Sequence, residues 1–431
     1  MTRRGAGLVV GVFFVFLLLH QTDRYLIGAL TTPIMETFGI DEAQMGAVQT
    51  GAVVVGMVLL PVWGYLFDRF ARPKILALAA ALWGSTTWLT AVAPTYPLFV
   101  AARASSGIDD ATYPGVYSMV SDLYPPTRRG RILGFLQIAG PIAFITATVL
   151  GLSLADSYGW RAVFLLTGAL GLVMAVVFLL WVRDVPRGRS DPTVGAVADQ
   201  LRLRFDWRTA AGLVRRPTLV VLVLQQFVHL FPIQALLLWS IRYFQVERGF
   251  DDGQIILLSS ALVLVGVGGF LLAGWLGDRL FQRFVRGRLL VGAAGVALAA
   301  VTLTGAFLIP TDHVVAFMAL WSAASFFYGF SNPTVTPSVQ DITEPEVRST
   351  AHALMGMAEQ AGSVLAPLIV GVIAVTASLG TGLIAVVATG FSLSAYLLMT
   401  ASLLVPYDIR KVRARATAGA GGPAPTLTAG R

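Results

Sequence analysis

Apolar runs of about twenty residues recur along the chain, and polar positions gather in the short stretches between them. A transmembrane helix needs about 20 mostly apolar residues. Twelve segments qualify: near 8–30, 43–67, 75–94, 97–121, 132–154 and 161–182, then near 217–243, 254–277, 288–309, 314–337, 349–376 and 379–404. The pattern predicts an all-α membrane protein with a six-helix bundle over 1–182, a cytoplasmic linker over 183–215 and a second six-helix bundle over 216–405. The basic tail, 406–431, has too little apolar surface to fold. An even number of spans puts both termini on one side. The N-terminal run has a basic start but no A-x-A cleavage site, so it reads as a first span.

Composition agrees: 56% of residues are hydrophobic and only 13% charged, whereas a soluble domain is nearer a quarter charged. With no cysteine, thiol catalysis, disulfides and cysteine-ligated metal are excluded. The net charge of +8 would suggest nucleic acid in a soluble protein. Here the positions decide. With both termini inside, 26 of the 31 Lys and Arg fall on the inner side. Arg161, Arg242 and Arg248 fall outside, and Arg24 and Arg103 lie within spans. That asymmetry is the positive-inside rule, so the basic charge reports topology and no nucleic-acid partner is expected.

Internal repetition is the next signal. "GYLFDRFARPK" after the second span returns as "GWLGDRLFQRFVRGR" after the eighth, with Asp68 and Asp278 210 residues apart. "DLYPPTRRGRILG" after the fourth span returns as "DITEPEVRSTAHA" after the tenth, with Asp122/Asp341 and Arg129/Arg348 both 219 apart. A duplicated six-helix unit around a midplane site is one plan of secondary transporters. With these motifs the chain resembles the major facilitator superfamily. The resemblance implies a conformational latch at Gly64, Asp68, Arg69 and Arg72, with a weaker copy at Asp278 and Arg279. Gly64 is the small residue expected to admit a close helix. "GFLQIAGPIAF", with Gly140-Pro141, partly resembles a motif of exporting antiporters; Pro141 reads equally as a kink.

Ionisable residues at bilayer depth are costly and default to function. They are Asp23 and Arg24 in the first span, Arg103, Asp109 and Asp110 in the fourth, His229 in the seventh and Glu359 in the eleventh. Gln225, Gln226 and Asn332 add neutral polar groups. On a continuous helix Arg103 and Asp110, seven apart, share one face about 10 Å apart in height, with Asp109 rotated about 100° away. Asp23 falls near the depth of Arg103, so a salt bridge between them is expected.

"TDRYLIGAL", "GYLFDR" and "RASSGIDDATYPGVYSMVSDLYPPTRRGRILGF" narrow the resemblance to the spinster branch. Asp110 stands where that branch carries glutamate, and Asp109 where it carries glycine. The resemblance implies proton-coupled movement of lysophospholipids or sphingosine-type lipid phosphates. The expected proton-coupling residues are Asp110, Asp23 and Glu359. The expected substrate-binding residues are Arg103, Arg24, His229, Gln225, Gln226 and Asn332. Asp109 is left without a role. No cofactor is expected; the proton gradient is the expected driving ion, and no metal site is expected. The expected partners are an amphipathic organic or lipid substrate and membrane lipids, with the protein a monomer in the cytoplasmic membrane. A multidrug or small organic-anion carrier is the alternative, and a ligand sensor that moves nothing is a further class. With no G-x-S-x-G, H-E-x-x-H or Walker loop, an enzyme is not expected.

Overall fold

The computed structural model describes residues 3–109, 113–185, 213, 215–343 and 348–419. Most of the expected linker lies outside the described residues, as does the end of the tail. The first half contains α1 (Arg3–Ala29), α2 (Thr31–Phe38), α3 (Glu42–Arg69), α4 (Arg72–Val92), α5 (Tyr96–Ser105), α6 (Tyr113–Leu123), α7 (Pro126–Gln137), α8 (Ala139–Tyr158) and α9 (Trp160–Trp181). The second half contains α10 (Pro217–Val246), α11 (Asp252–Arg283), α12 (Gly287–Leu308), α13 (Val314–Tyr328), α14 (Asn332–Asp341), α15 (Arg348–Ser363), α16 (Ala366–Thr376) and α17 (Leu379–Gly419).

Among the described residues, eleven helical segments are long and apolar enough to cross a membrane. The expected fourth span is not in that set: residues 110–112 lie outside the described residues, and its described part is interrupted. α5 stops at Ser105, a 3-10 turn covers Ser106–Ile108, and α6 resumes at Tyr113. α7 and α8 likewise meet at Ile138, just before Pro141. α17 runs on to Gly419, into the tail expected to be unfolded. Its Arg, Lys and Ala residues are good helix formers.

Helix starts carry the duplication further than the two inner motifs. Asp41 caps α3, its Oδ1 accepting from the Gln44 amide at 2.8 Å while Gln44 Oε1 accepts from the Asp41 amide at 3.0 Å. Asp251 and Gln254 repeat this reciprocal box before α11, at 2.8 and 3.1 Å. Each box satisfies two backbone donors that a helix start leaves open. Gly39 and Gly249 precede them at φ +61° and +64°, where a side chain would be strained. The offset, 210 residues, is that of Asp68 and Asp278.

The chain forms two compact units. Unit 1 comprises Met1–Arg202, Ile233–Val263 and Ser363–Leu383; unit 2 comprises Leu203–Pro232, Leu264–Gly362 and Ile384–Arg431. The division therefore falls inside α10, at Pro232, and not only at the expected linker. Unit 1 has an aromatic core in which Phe13, Phe16, Trp83 and Phe178 are almost wholly buried. α4 and α9 press together at Gly84, Gly168 and Gly171, where an added Cβ would meet opposing backbone, the small-residue contact typical of membrane helices. Apolar side chains such as Leu180 and Trp181 on α9, or Leu264 and Leu271 on α11, are exposed. In a spanning helix such faces meet lipid.

Candidate functional site

The buried charges of unit 1 gather around the broken fourth span. Each of the last residues before the break has a tertiary partner. Gly107 lies so near the Ala52 carbonyl of α3 that a Cβ there would overlap it. The Trp63 indole donates to the Ile108 carbonyl. Asp109, 2% exposed, meets His20 of α1, with Oδ2 2.6 Å from Nε2. His20 stacks on Phe16, with ring centroids 5.7 Å apart, and meets Trp83 edge-on at 5.4 Å. The aspartate without an expected role is thus tied to the first span. Asp110 lies outside the described residues. The 3-10 turn also interrupts the continuous helix from which a shared face for Arg103 and Asp110 was read.

Asp23 and Arg103 are both 3% exposed, yet they do not form the expected salt bridge. The Asp23 carboxylate accepts from Thr167 at 2.6 Å and from Thr87 at 3.1 Å. Two hydroxyl donors satisfy a buried carboxylate without an ion pair. The Arg103 guanidinium carbon lies 5.6 Å from the Phe164 ring centroid. Phe164 is one turn before Thr167 on α9, so α9 touches both charged residues on successive turns. Arg24 is half-buried.

In unit 2, Ser394 of α17 is the hub that sequence reasoning missed. Gln225 Nε2 donates to Ser394 Oγ at 3.0 Å, and that oxygen lies 3.3 Å from His229 Nδ1. His229 stacks almost parallel on Tyr328 at 5.1 Å. Among the described residues, the side-chain carbonyls of Gln225 and Gln226 and the Nε2 of His229 are buried without a hydrogen-bond partner. Asn332 is exposed, and the neighbouring Ser331 is the residue in reach of Gln225, at 3.5 Å. Glu359 lies half-buried on α15.

The repeated loop motifs form ion networks, the first centred on Arg72 of the expected latch set and the second on Arg288 in place of Arg279. Arg72, 1% exposed, donates to Asp122, to Ser118 at 2.9 Å and to the Val185 carbonyl, with Asp184 at 3.4 Å. In unit 2 Arg288 takes the corresponding place at the start of α12. It contacts Asp278 at 2.7 Å and bonds Asp341. The repeat landmarks Asp122 and Asp341 are thus both held by an arginine at the start of a helix. Arg69 and Arg279 are exposed, Arg279 lying over the Trp275 ring at 5.3 Å. The Asp68 side chain lies outside the described ones. A Cβ at Gly64 would meet nothing within 4 Å, so the close approach expected there is absent; Gly107 and Gly115 make such approaches instead.

Toward the expected outer side, unit 1 contains a second polar set. Arg242 of α10 pairs with Glu42 at 2.8 Å and reaches Thr32 at 3.4 Å. Thr32 donates to Gln245 at 2.8 Å, and Thr50 donates to the Val364 carbonyl at 2.8 Å. Gly46 abuts the Pro367 backbone closely enough that a Cβ would clash.

The Major Facilitator Superfamily model matches residues 12–367. Protein spinster of Drosophila melanogaster is 27% identical over 367 residues, covering 83% of this chain; the match spans 60% of the fly protein's length. An MFS-type efflux pump of Mycolicibacterium smegmatis is 28% identical over 385 residues, 86% of this chain and 85% of the pump. The crystal structure of a bacterial homologue of the human lysosomal transporter Spinster, in an inward-facing, unoccupied conformation, shares the fold. Its TM-score is 0.77 at 19% identity, over 95% of this chain and 98% of that one. The duplicated helical unit, the paired inner ion networks and the family match over most of the chain agree: this protein belongs to the Major Facilitator Superfamily and is a multi-pass membrane transporter, not an enzyme.

Proposed function

We propose that the protein is a proton-coupled secondary transporter of the spinster branch that moves an amphipathic, anionic, lysophospholipid- or sphingolipid-like molecule by alternating access. It works in the cell membrane as a monomer with twelve spans and cytoplasmic termini, the broken 96–123 segment supplying the twelfth crossing. The observation that carries this reading is the burial of Arg103 of α5 and Asp23 of α1 against adjacent turns of α9, within apolar spans. Ionisable residues at that depth are costly and default to function. Arg103, with Arg24, takes the anionic head group. Asp110, Asp23 and Glu359 are the proton carriers. The buried acceptors of Gln225, Gln226 and His229 suit donor groups such as hydroxyls, with Asn332 at the start of α14 as a further contact.

Alternating access requires contacts that form and break. The Arg242–Glu42 and Thr50–Val364 contacts are the set that must part for outward opening. The networks of Arg72 with Asp122, and of Arg288 with Asp278 and Asp341, are the inner latches. A drug-exporting role is the second reading, favoured by the efflux-pump relative at similar identity. The test is reconstitution into lipid vesicles with an imposed pH gradient. Two fluorescent probes of one acyl chain are compared, an anionic lysophosphatidylglycerol and a neutral monoacylglycerol. The reading expects gradient-driven movement of the anionic probe alone, above protein-free vesicles. Equal movement of both probes counts against it.

A further inference from the structure

His20 and Asp109 form a pair that the proposed transport scheme does not use. We propose that they constitute a proton-binding site of the transport cycle, distinct from Asp23, Asp110 and Glu359; this rests on the proton-coupled reading above. The contact is 2.6 Å between Nε2 and a carboxylate oxygen, with both residues at most 3% exposed. Two acceptors cannot sit at that distance without a proton between them, so one proton is held in every state that keeps the contact. A second proton turns the imidazole into imidazolium and takes the pair from a net charge of −1 to 0. The proton is delivered by hydronium, which leaves as water, and no bond between heavy atoms forms or breaks. Release of that proton restores the first state.

The position makes this change consequential. Of the contacts described at the end of the 3-10 turn, the Gly107 approach is steric and the Trp63 bond is neutral, whereas the His20–Asp109 contact changes charge. It joins the first span to the residue immediately before Asp110, at the one point where the fourth span loses its helix. Loading the pair therefore changes the charge one residue before Asp110 in the chain. On its own helix, α1 also carries Asp23 and Arg24. Of the elements packed on α1 and on the turn, α5 contributes Arg103, α6 contributes Tyr117 and Asp122, and α7 contributes its three arginines. α3, α4, α8 and α9 carry their ionisable residues only near their ends. Imidazole is the side chain whose ordinary proton exchange falls in the physiological range.

The chain has four histidines, His20, His229, His313 and His352, so nitrogen-15 spectra of histidine-labelled protein in lipid nanodiscs are tractable, with His20 assigned from a His20→Asn sample. The proposal expects the His20 ring to pass from singly to doubly protonated between about pH 5 and 8. In Asp109→Asn the midpoint moves by about one pH unit or more. A His20 ring that keeps one protonation state over that range overturns the proposal, and so does titration indifferent to Asp109→Asn. The second arm uses vesicles and the anionic lysolipid probe. His20→Asn is expected to lose gradient-driven uptake about tenfold while keeping exchange of probe at equal pH. Wild-type gradient dependence in His20→Asn overturns the role in transport. If the wild-type protein itself ignores the gradient, the coupled-transport reading falls, and the His20 spectra alone decide whether the pair binds the proton.

Discussion

Removing the Arg242–Glu42 pair by Arg242→Gln should shift the protein toward its outward-open form. The pair bridges α10 and the first turn of α3 at 2.8 Å, and the two side chains are 15% and 24% exposed. An exposed ion pair contributes about 0.2–1 kcal/mol, and a charge-assisted hydrogen bond about 1.5–3 kcal/mol. Partial burial places this one between them, at about 1–2 kcal/mol, which is roughly a 5- to 30-fold change in an equilibrium. Thr50 reports on the same side, because its hydroxyl donates to the Val364 carbonyl at 2.8 Å and is covered while that contact holds. The chain has no cysteine, so Thr50→Cys gives a single thiol in an otherwise silent background. The assay is the rate at which an impermeant maleimide labels that thiol from outside. Adding Arg242→Gln should raise the rate about 5- to 30-fold. Glu42→Gln should do the same, and the double variant should add little further, since both remove one interaction. Unchanged labelling in both single variants would refute the claim that this pair holds the outer side shut.

Five other substitutions test the packing, the Arg72 network and the surroundings of Asp23. Gly107→Ala forces a Cβ onto the Ala52 carbonyl and should lower thermal stability by about 1–3 kcal/mol, whereas Gly64→Ala, with nothing within 4 Å, should leave melting unchanged or slightly raised. Arg72→Ala strands the partly buried Asp122 and should cost about 3–5 kcal/mol, read as loss of folded protein by size-exclusion chromatography. Arg72→Lys should rescue poorly, because one ammonium cannot span Asp122, Ser118 and the Val185 carbonyl at once. Thr167→Val removes the shorter of the two donors to the buried Asp23 and should lower gradient-driven uptake several-fold in the vesicle assay; wild-type uptake would show that this bond does not matter to transport.

What was legible in the sequence followed from local pattern. Most of the apolar helices and the repeated loop motifs each depend on residues close together in the chain. The Asp41/Gln44 and Asp251/Gln254 boxes were equally legible, as Asp-x-x-Gln before an apolar run at the repeat offset, and were overlooked. The break in the fourth span was signalled by Pro114 and Gly107, but apolar content alone suggested one unbroken helix. That misreading propagated, because seven-residue spacing defines a common face only where the helix is continuous. The contacts of Asp23 were beyond reach for another reason. Depth arguments rank partners by height along the bilayer, and Thr87, Thr167 and Arg103 differ in lateral position, which helix packing alone sets. The His20–Asp109 contact joins residues 89 apart, a separation no periodicity encodes. The family motif points to Arg279, four residues before the end of α11 and exposed, and so away from Arg288 at the start of α12.

The central claim is that a titrating carboxyl in the fourth span couples a proton gradient to movement of an anionic amphipath. Asp110→Asn, reconstituted in vesicles and supplied with fluorescent lysophosphatidylglycerol, tests it most directly. The account predicts that this variant loses probe accumulation under a pH gradient while still exchanging probe across the membrane at equal pH. Accumulation with wild-type gradient dependence would contradict it.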